Sequence, residues 1–81
     1  MTSRPLAPEF SDCLSAIGGA IRSLRRELEL SQEELAHLAS IDRSHMGKIE
    51  RGERNLSIAN LLRISAALRC KPSDVLIRAG V

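Results

Sequence analysis

Apolar residues recur at helical intervals along most of the chain, and short polar caps break them into five segments. Leu14, Ile17, Ile21, Leu24 and Leu28 fall at steps of three and four. This makes one apolar stripe on a helix expected to start at Ser11 or Asp12 and run to about Glu29. Gly18-Gly19 interrupts it, either as a close-packing point or as a weak spot, at roughly 1 kcal/mol per glycine relative to alanine. Ser31 and Glu34 have the spacing of a capping box, and Leu30 with Leu35 that of a hydrophobic staple, so a second helix is expected over Gln32–Ala39. Asp42 is an N-cap for a third, over about Arg43–Arg51, with Ile41 and Met46 repeating the staple and Gly52 closing the helix. Ser57 caps a fourth helix carrying Leu61, Leu62, Ile64, Ala66 and Leu68, and Ser73 a short fifth through about Arg78. No strand pattern appears, so the fold is expected to be all-α, a compact five-helix domain spanning residues 11–81. Residues 1–10 contain Pro5 and Pro8 and no period, and are expected to form a flexible N-terminal tail.

The connection between the second and third helices is the most specific feature. Only Ser40, Ile41 and Asp42 separate them, so the two must cross steeply, in helix-turn-helix geometry. On the third helix Met46 and Ile49 face inward. Arg43, Ser44, His45, Gly47 and Lys48 are left on the outer face, which suits a DNA groove.

Composition narrows the function classes. In 81 residues Phe10 is the only aromatic, so the core must be aliphatic. The net charge of +2 requires any nucleic-acid surface to come from local clustering. Residues 43–54 supply it: Arg43, Lys48, Arg51 and Arg54 outnumber Glu50 and Glu53. Cys13 and Cys70 do not make a secreted disulfide scaffold and are expected to be reduced and half-buried. No signal-peptide pattern or membrane-spanning run is present, so a cytoplasmic protein is expected, with no membrane partner and no evident small-molecule ligand. His37 and His45 lie on different helices, and no nucleophile–base arrangement or compact metal-ligand spacing appears. No enzyme, metal site or cofactor is expected.

The run from Ile21 to about Leu76 resembles the lambda-repressor/Cro (XRE) class of helix-turn-helix transcriptional regulators. The resemblance rests on Arg25, Leu30-Ser31-Gln32-Glu33-Glu34-Leu35-Ala36, Ile49-Glu50-Arg51-Gly52, Asn55-Leu56-Ser57, Leu61-Leu62 and Ala67-Leu68. Among the subgroups, controller proteins of restriction–modification systems look closest, through Asp42-Arg43-Ser44 and Arg54-Asn55-Leu56-Ser57. Two positions depart from the family pattern. Ser40 stands where a turn glycine is usual, at a cost of about 1 kcal/mol if that residue is left-handed. Gly47 stands where many members carry a polar residue.

The resemblance and the residue chemistry together imply a lambda-repressor-like domain that binds double-stranded DNA, with the third helix reading bases. Arg43 is the first choice, because arginine bonds bidentately to guanine O6 and N7. Ser44, Lys48 and His45 follow, His45 being equally compatible with a solvated surface position. Phosphate contacts are expected from Gln32 at the N-terminus of the second helix, where free amides and the helix dipole favour an anion. Arg51, Arg54, Asn55 and Ser57 are expected to make others. Glu50 would repel phosphate unless turned inward, and the family implies Arg25 as its ion-pair partner. A single unit covers few base pairs, so a homodimer on a pseudo-palindromic operator is expected. Its interface is sought in the apolar C-terminal residues Val75, Leu76, Ile77, Ala79 and Val81, of which the first three could instead close the core. The rival is an antitoxin-type protein-interaction module with secondary promoter binding. It would need a partner-binding segment, for which the chain ends offer little room.

Overall fold

A computed structural model of the chain describes residues 7–53 and 55–81. Among them are five helices and no strand: α1 (Ala7–Glu27), α2 (Gln32–Ala39), α3 (Arg43–Glu50), α4 (Ile58–Ala67) and α5 (Pro72–Ala79). α1 lies against α3 and α5, α2 against α3 and α4, and α5 also touches α4. Ile21, Leu35, Met46, Ile64 and Val75, one residue from each helix, are fully buried. Ala20, Ala36, Ala39, Ile49, Leu61 and Leu68 fill the space between them. The core is wholly aliphatic, and Phe10 is exposed.

The interhelical caps follow the expected pattern. Ser31 Oγ accepts from the Glu34 amide at 3.0 Å while the Glu34 carboxylate accepts from the Ser31 amide at 2.7 Å. Ser57 Oγ accepts from the Asn60 amide. Two starts differ from expectation. α1 begins at Ala7, not at Ser11 or Asp12, so residues 7–10 belong to a helix and not to the tail. Pro8 is no obstacle there, since first-turn amides have no intrahelical acceptor. The rest of the expected tail, residues 1–6, lies outside the described residues. α5 is capped not by Ser73 but two residues earlier: Lys71 is the N-cap, Pro72 follows as the first helical residue, and the Lys71 amide donates to Asp74 at 2.8 Å.

All five helices end alike. A residue one or two positions beyond each helix takes a left-handed conformation: Glu29 (φ 57°), Ser40 (φ 56°), Gly52 (φ 73°), Arg69 (φ 60°) and Gly80 (φ 77°). Its amide and the next one turn back to carbonyls inside the helix, as in Ser40 N–H to His37 and Ile41 N–H to Ala36. This is the Schellman arrangement, which satisfies carbonyls that the helix leaves open. α1 consequently stops at Glu27, and Leu28, expected on its apolar stripe, is exposed beyond the helix end.

Gly18 fixes how α1 meets α3. A Cβ there would stand 2.5 Å from the carbonyl oxygens of both Ile49 and Glu50. The two backbones approach too closely for a side chain. Gly19 has nothing within 4 Å of the same position.

Candidate nucleic-acid interface

The frame that positions α3 centres on Glu50, which is buried. Arg25 on α1 donates to it bidentately, Nε to Oε2 at 2.8 Å and Nη2 to Oε1 at 2.9 Å. The same guanidinium donates to the Leu30 carbonyl at 3.0 Å, fastening the end of α1 to the start of the α2 region. Gln32 Nε2 donates to Glu50 Oε1 at 3.1 Å, and Arg22 Nε stands 3.7 Å from that oxygen. The hydrogen bond to Glu50 raises the Arg25 guanidinium further above its ordinary value. One carboxylate therefore ties α1, α2 and α3 together. Among the described residues no buried side-chain nitrogen or oxygen lacks a partner.

α3 carries its polar residues outward from this frame. Asp42 accepts from the Ser44 amide at 3.1 Å and from the Ser44 hydroxyl at 2.6 Å. Arg43 and Ser44 are exposed, and His45 and Lys48 half-buried. Among the described residues neither the Arg43 nor the Lys48 side chain takes part in a hydrogen bond or salt bridge. A shallow open groove runs past this turn, lined by Ser40, Asp42, Ser44, His45, Lys48 and Asn60. Asn60, from the first turn of α4, was not among the sequence candidates. Its part in the groove depends on where α4 packs, which no local pattern reports.

Several expected positions are corrected or refined. Gly47 is buried, not on the outer face: a Cβ there would lie 3.2 Å from an Arg51 guanidinium nitrogen and 3.3 Å from Gln32 Oε1. The Gln32 side chain, expected at a phosphate, is turned onto Glu50 and over Gly47, while its backbone amide still opens α2. Arg51 is the C-cap of α3 and bonds Glu53 through two nitrogens, at 2.9 and 3.3 Å. That bond holds the Glu53 carboxyl below the usual carboxylate range. Asn55 and Ser57 are exposed beside the start of α4. Arg54, the remaining expected phosphate contact, lies outside the described residues.

The C-terminal apolar group divides. Val75 is fully buried, and Leu76 and Ala79 pack half-buried against the core, so Val75 is removed from any interface. Ile77 and Val81 remain 73% and 55% exposed. Ile58 and Leu62, one turn apart on α4, form a second exposed apolar pair that the sequence had not singled out.

Residues 21–75 match the model of the helix-turn-helix family designated HTH_3. The chain belongs to this family. The match covers α2, the turn and α3 and extends from α1 into α5, so it takes in the whole frame around Glu50. Control protein C.SmaI of Serratia marcescens is 33% identical over 72 residues, covering 89% of this chain and 86% of that protein. Control protein C.MunI of a Mycoplasma species is 41% identical over 67 residues, covering 82% and 90%. The crystal structure of the restriction–modification controller protein C.AhdI from Aeromonas hydrophila superposes with a TM-score of 0.75 at 44% identity, over 76% of this chain and 94% of that one. These likenesses agree with the lambda-repressor/Cro-like resemblance carried by the sequence motifs, a class of DNA-binding transcription regulators and not of enzymes. Among the described residues no helix is long and apolar enough to cross a membrane.

Proposed function

We propose that this protein is a sequence-specific DNA-binding regulator of the controller type, acting as a homodimer on a pseudo-palindromic operator with α3 in the major groove. The observation that carries the reading is the first turn of α3. Met46 and Ile49 are buried and Glu50 is clamped from α1 and α2, so the helix is rigidly held. On its open side Arg43 has no carboxylate partner among the described residues. Its planar donors are thus available for guanine O6 and N7, with Ser44, Lys48 and His45 beside it.

Phosphates flank this turn in the same reading. The Gln32 amide at the start of α2 takes one, as an anion at a helix N-terminus does. Arg51, Arg54, Asn55 and Ser57 take others along the edge leading into α4. Arg51 reaches a phosphate by exchanging the Glu53 carboxylate for it, one anion for another. Dimerisation through Ile77 and Val81, with Leu76 and Ala79 at the margin, would place two copies of α3 on successive major-groove faces, about 34–36 Å apart.

In-vitro selection from random duplexes, followed by salt titration of wild type and Arg43→Ala, tests the reading. Wild type should enrich a two-fold motif, and Arg43→Ala should lose preference at one base pair per half-site. Uniform weakening across all sequences would move Arg43 to the phosphate contacts. Failure to enrich any sequence would overturn the proposal, and equilibrium sedimentation showing only monomer at DNA-binding concentrations would overturn its dimeric part.

A further inference from the structure

Ser44 is generally an ambiguous reader, because a hydroxyl both donates and accepts. Here its proton is already spent. Ser44 Oγ lies 2.6 Å from Asp42 Oδ2, and that oxygen also accepts from the Ser44 amide at 3.1 Å. A carboxylate can only accept, so the Ser44 hydroxyl must be the donor. The Ser44 hydroxyl, with the His45 and Ser44 amides, holds the Asp42 carboxyl below the usual carboxylate range, so the acceptor stays ionised at neutral pH. The Asp42 oxygen that accepts the hydroxyl is held in place by the N-cap bond it accepts from the Ser44 amide. What Ser44 has left to offer toward the groove is lone pairs, backed by the negative charge of Asp42.

We infer that Ser44 reads DNA as an acceptor only, and that the group it recognises is the major-groove amino group of an adenine or cytosine. This rests on α3 being the base reader. Acceptors on bases, guanine O6 and N7 and thymine O4, find no donor at Ser44 and meet the Asp42 charge beside it. Arg43, one residue earlier, has the opposite polarity and takes such acceptors. The first turn of α3 thus sets a donor and an acceptor side by side. It discriminates an amino-bearing base from a keto base next to the position that Arg43 reads.

Analogues that delete single base atoms separate the two polarities. In the operator enriched by wild type, each adenine is replaced in turn by purine, which lacks the amino group. Each cytosine is replaced by pyrimidin-2-one, and each purine N7 is removed by a 7-deaza base. One amino deletion should weaken wild type roughly three- to tenfold. The same deletion should not weaken Ser44→Ala further, and Ser44→Thr should keep the wild-type response. Asp42→Asn keeps an oxygen that can accept from both the Ser44 amide and the Ser44 hydroxyl, but removes the negative charge that backs the hydroxyl lone pairs. It should reduce the penalty for the amino deletion. Coupling of Ser44→Ala to a 7-deaza position, or to no amino deletion at all, would overturn the assignment while leaving DNA reading by α3 intact. An absence of any enriched operator would overturn both.

Discussion

Ser40 adopts φ 56° and ψ 42°, a conformation glycine reaches freely and a residue with a Cβ does not. The turn needs it, because the Ser40 and Ile41 amides close α2 by bonding the His37 and Ala36 carbonyls. Ser40→Gly should therefore stabilise the protein by about 1 kcal/mol. A rise of about 4–8 °C in thermal midpoint would register that gain, and an unchanged or lower midpoint would show that the serine is not strained. The residue was legible as a departure from the family pattern. Its φ was not, because the same three-residue connection could be closed by other turns. Ser44 shows the same division. Its exposed place on α3 follows from periodicity, whereas its bond to Asp42 depends on a rotamer that sequence does not state.

Between elements, closeness is set by what a position lacks. Gly18 and Gly19 are indistinguishable in the sequence, yet only Gly18 faces the carbonyls of Ile49 and Glu50. Gly18→Ala should cost about 1–3 kcal/mol through overpacking against rigid backbone. Gly19→Ala should stabilise by about 0.5–1 kcal/mol through helix propensity. Urea unfolding of the pair checks both, and equal effects would contradict the packing. The Glu50 clamp works at the same scale. Arg25→Ala leaves a buried carboxylate short of its main partner and should cost about 3–5 kcal/mol. A thermal melt unchanged from wild type would contradict that role. The ion pair was readable through the resemblance, but the Gln32 bond to Glu50 was not. Local chemistry pointed Gln32 at a phosphate, and only the crossing of α2 and α3 brings its amide within reach of the carboxylate.

For the whole molecule, charge couples to acidity through several exposed carboxylates. Glu27 is held below the usual carboxylate range by Arg78, Glu34 by the Ser31 cap, Asp42 by Ser44 and Glu53 by Arg51. All four are depressed in the folded state, so the unfolded chain binds protons first as pH falls. Their contribution is present above the unfolded values and is lost as pH drops below about 4. Melting temperatures measured from pH 7 to 3 should accordingly decline toward the acid end, and a flat profile would show that these contacts do not contribute. Five helices, the caps Ser31, Asp42 and Ser57, the helix-turn-helix connection and the aliphatic character of the core were all legible before any packing was known. The helices, caps and connection depend on residues within a few positions of one another, and the aliphatic core follows from a composition with one aromatic residue. The tertiary structure alone decided that Gly47 is buried, that Val75 belongs to the core while Ile77 does not, and that Asn60 lines the groove beside α3. Periodicity assigns a residue to a face of its helix; which neighbouring helix covers that face is settled only when all five pack.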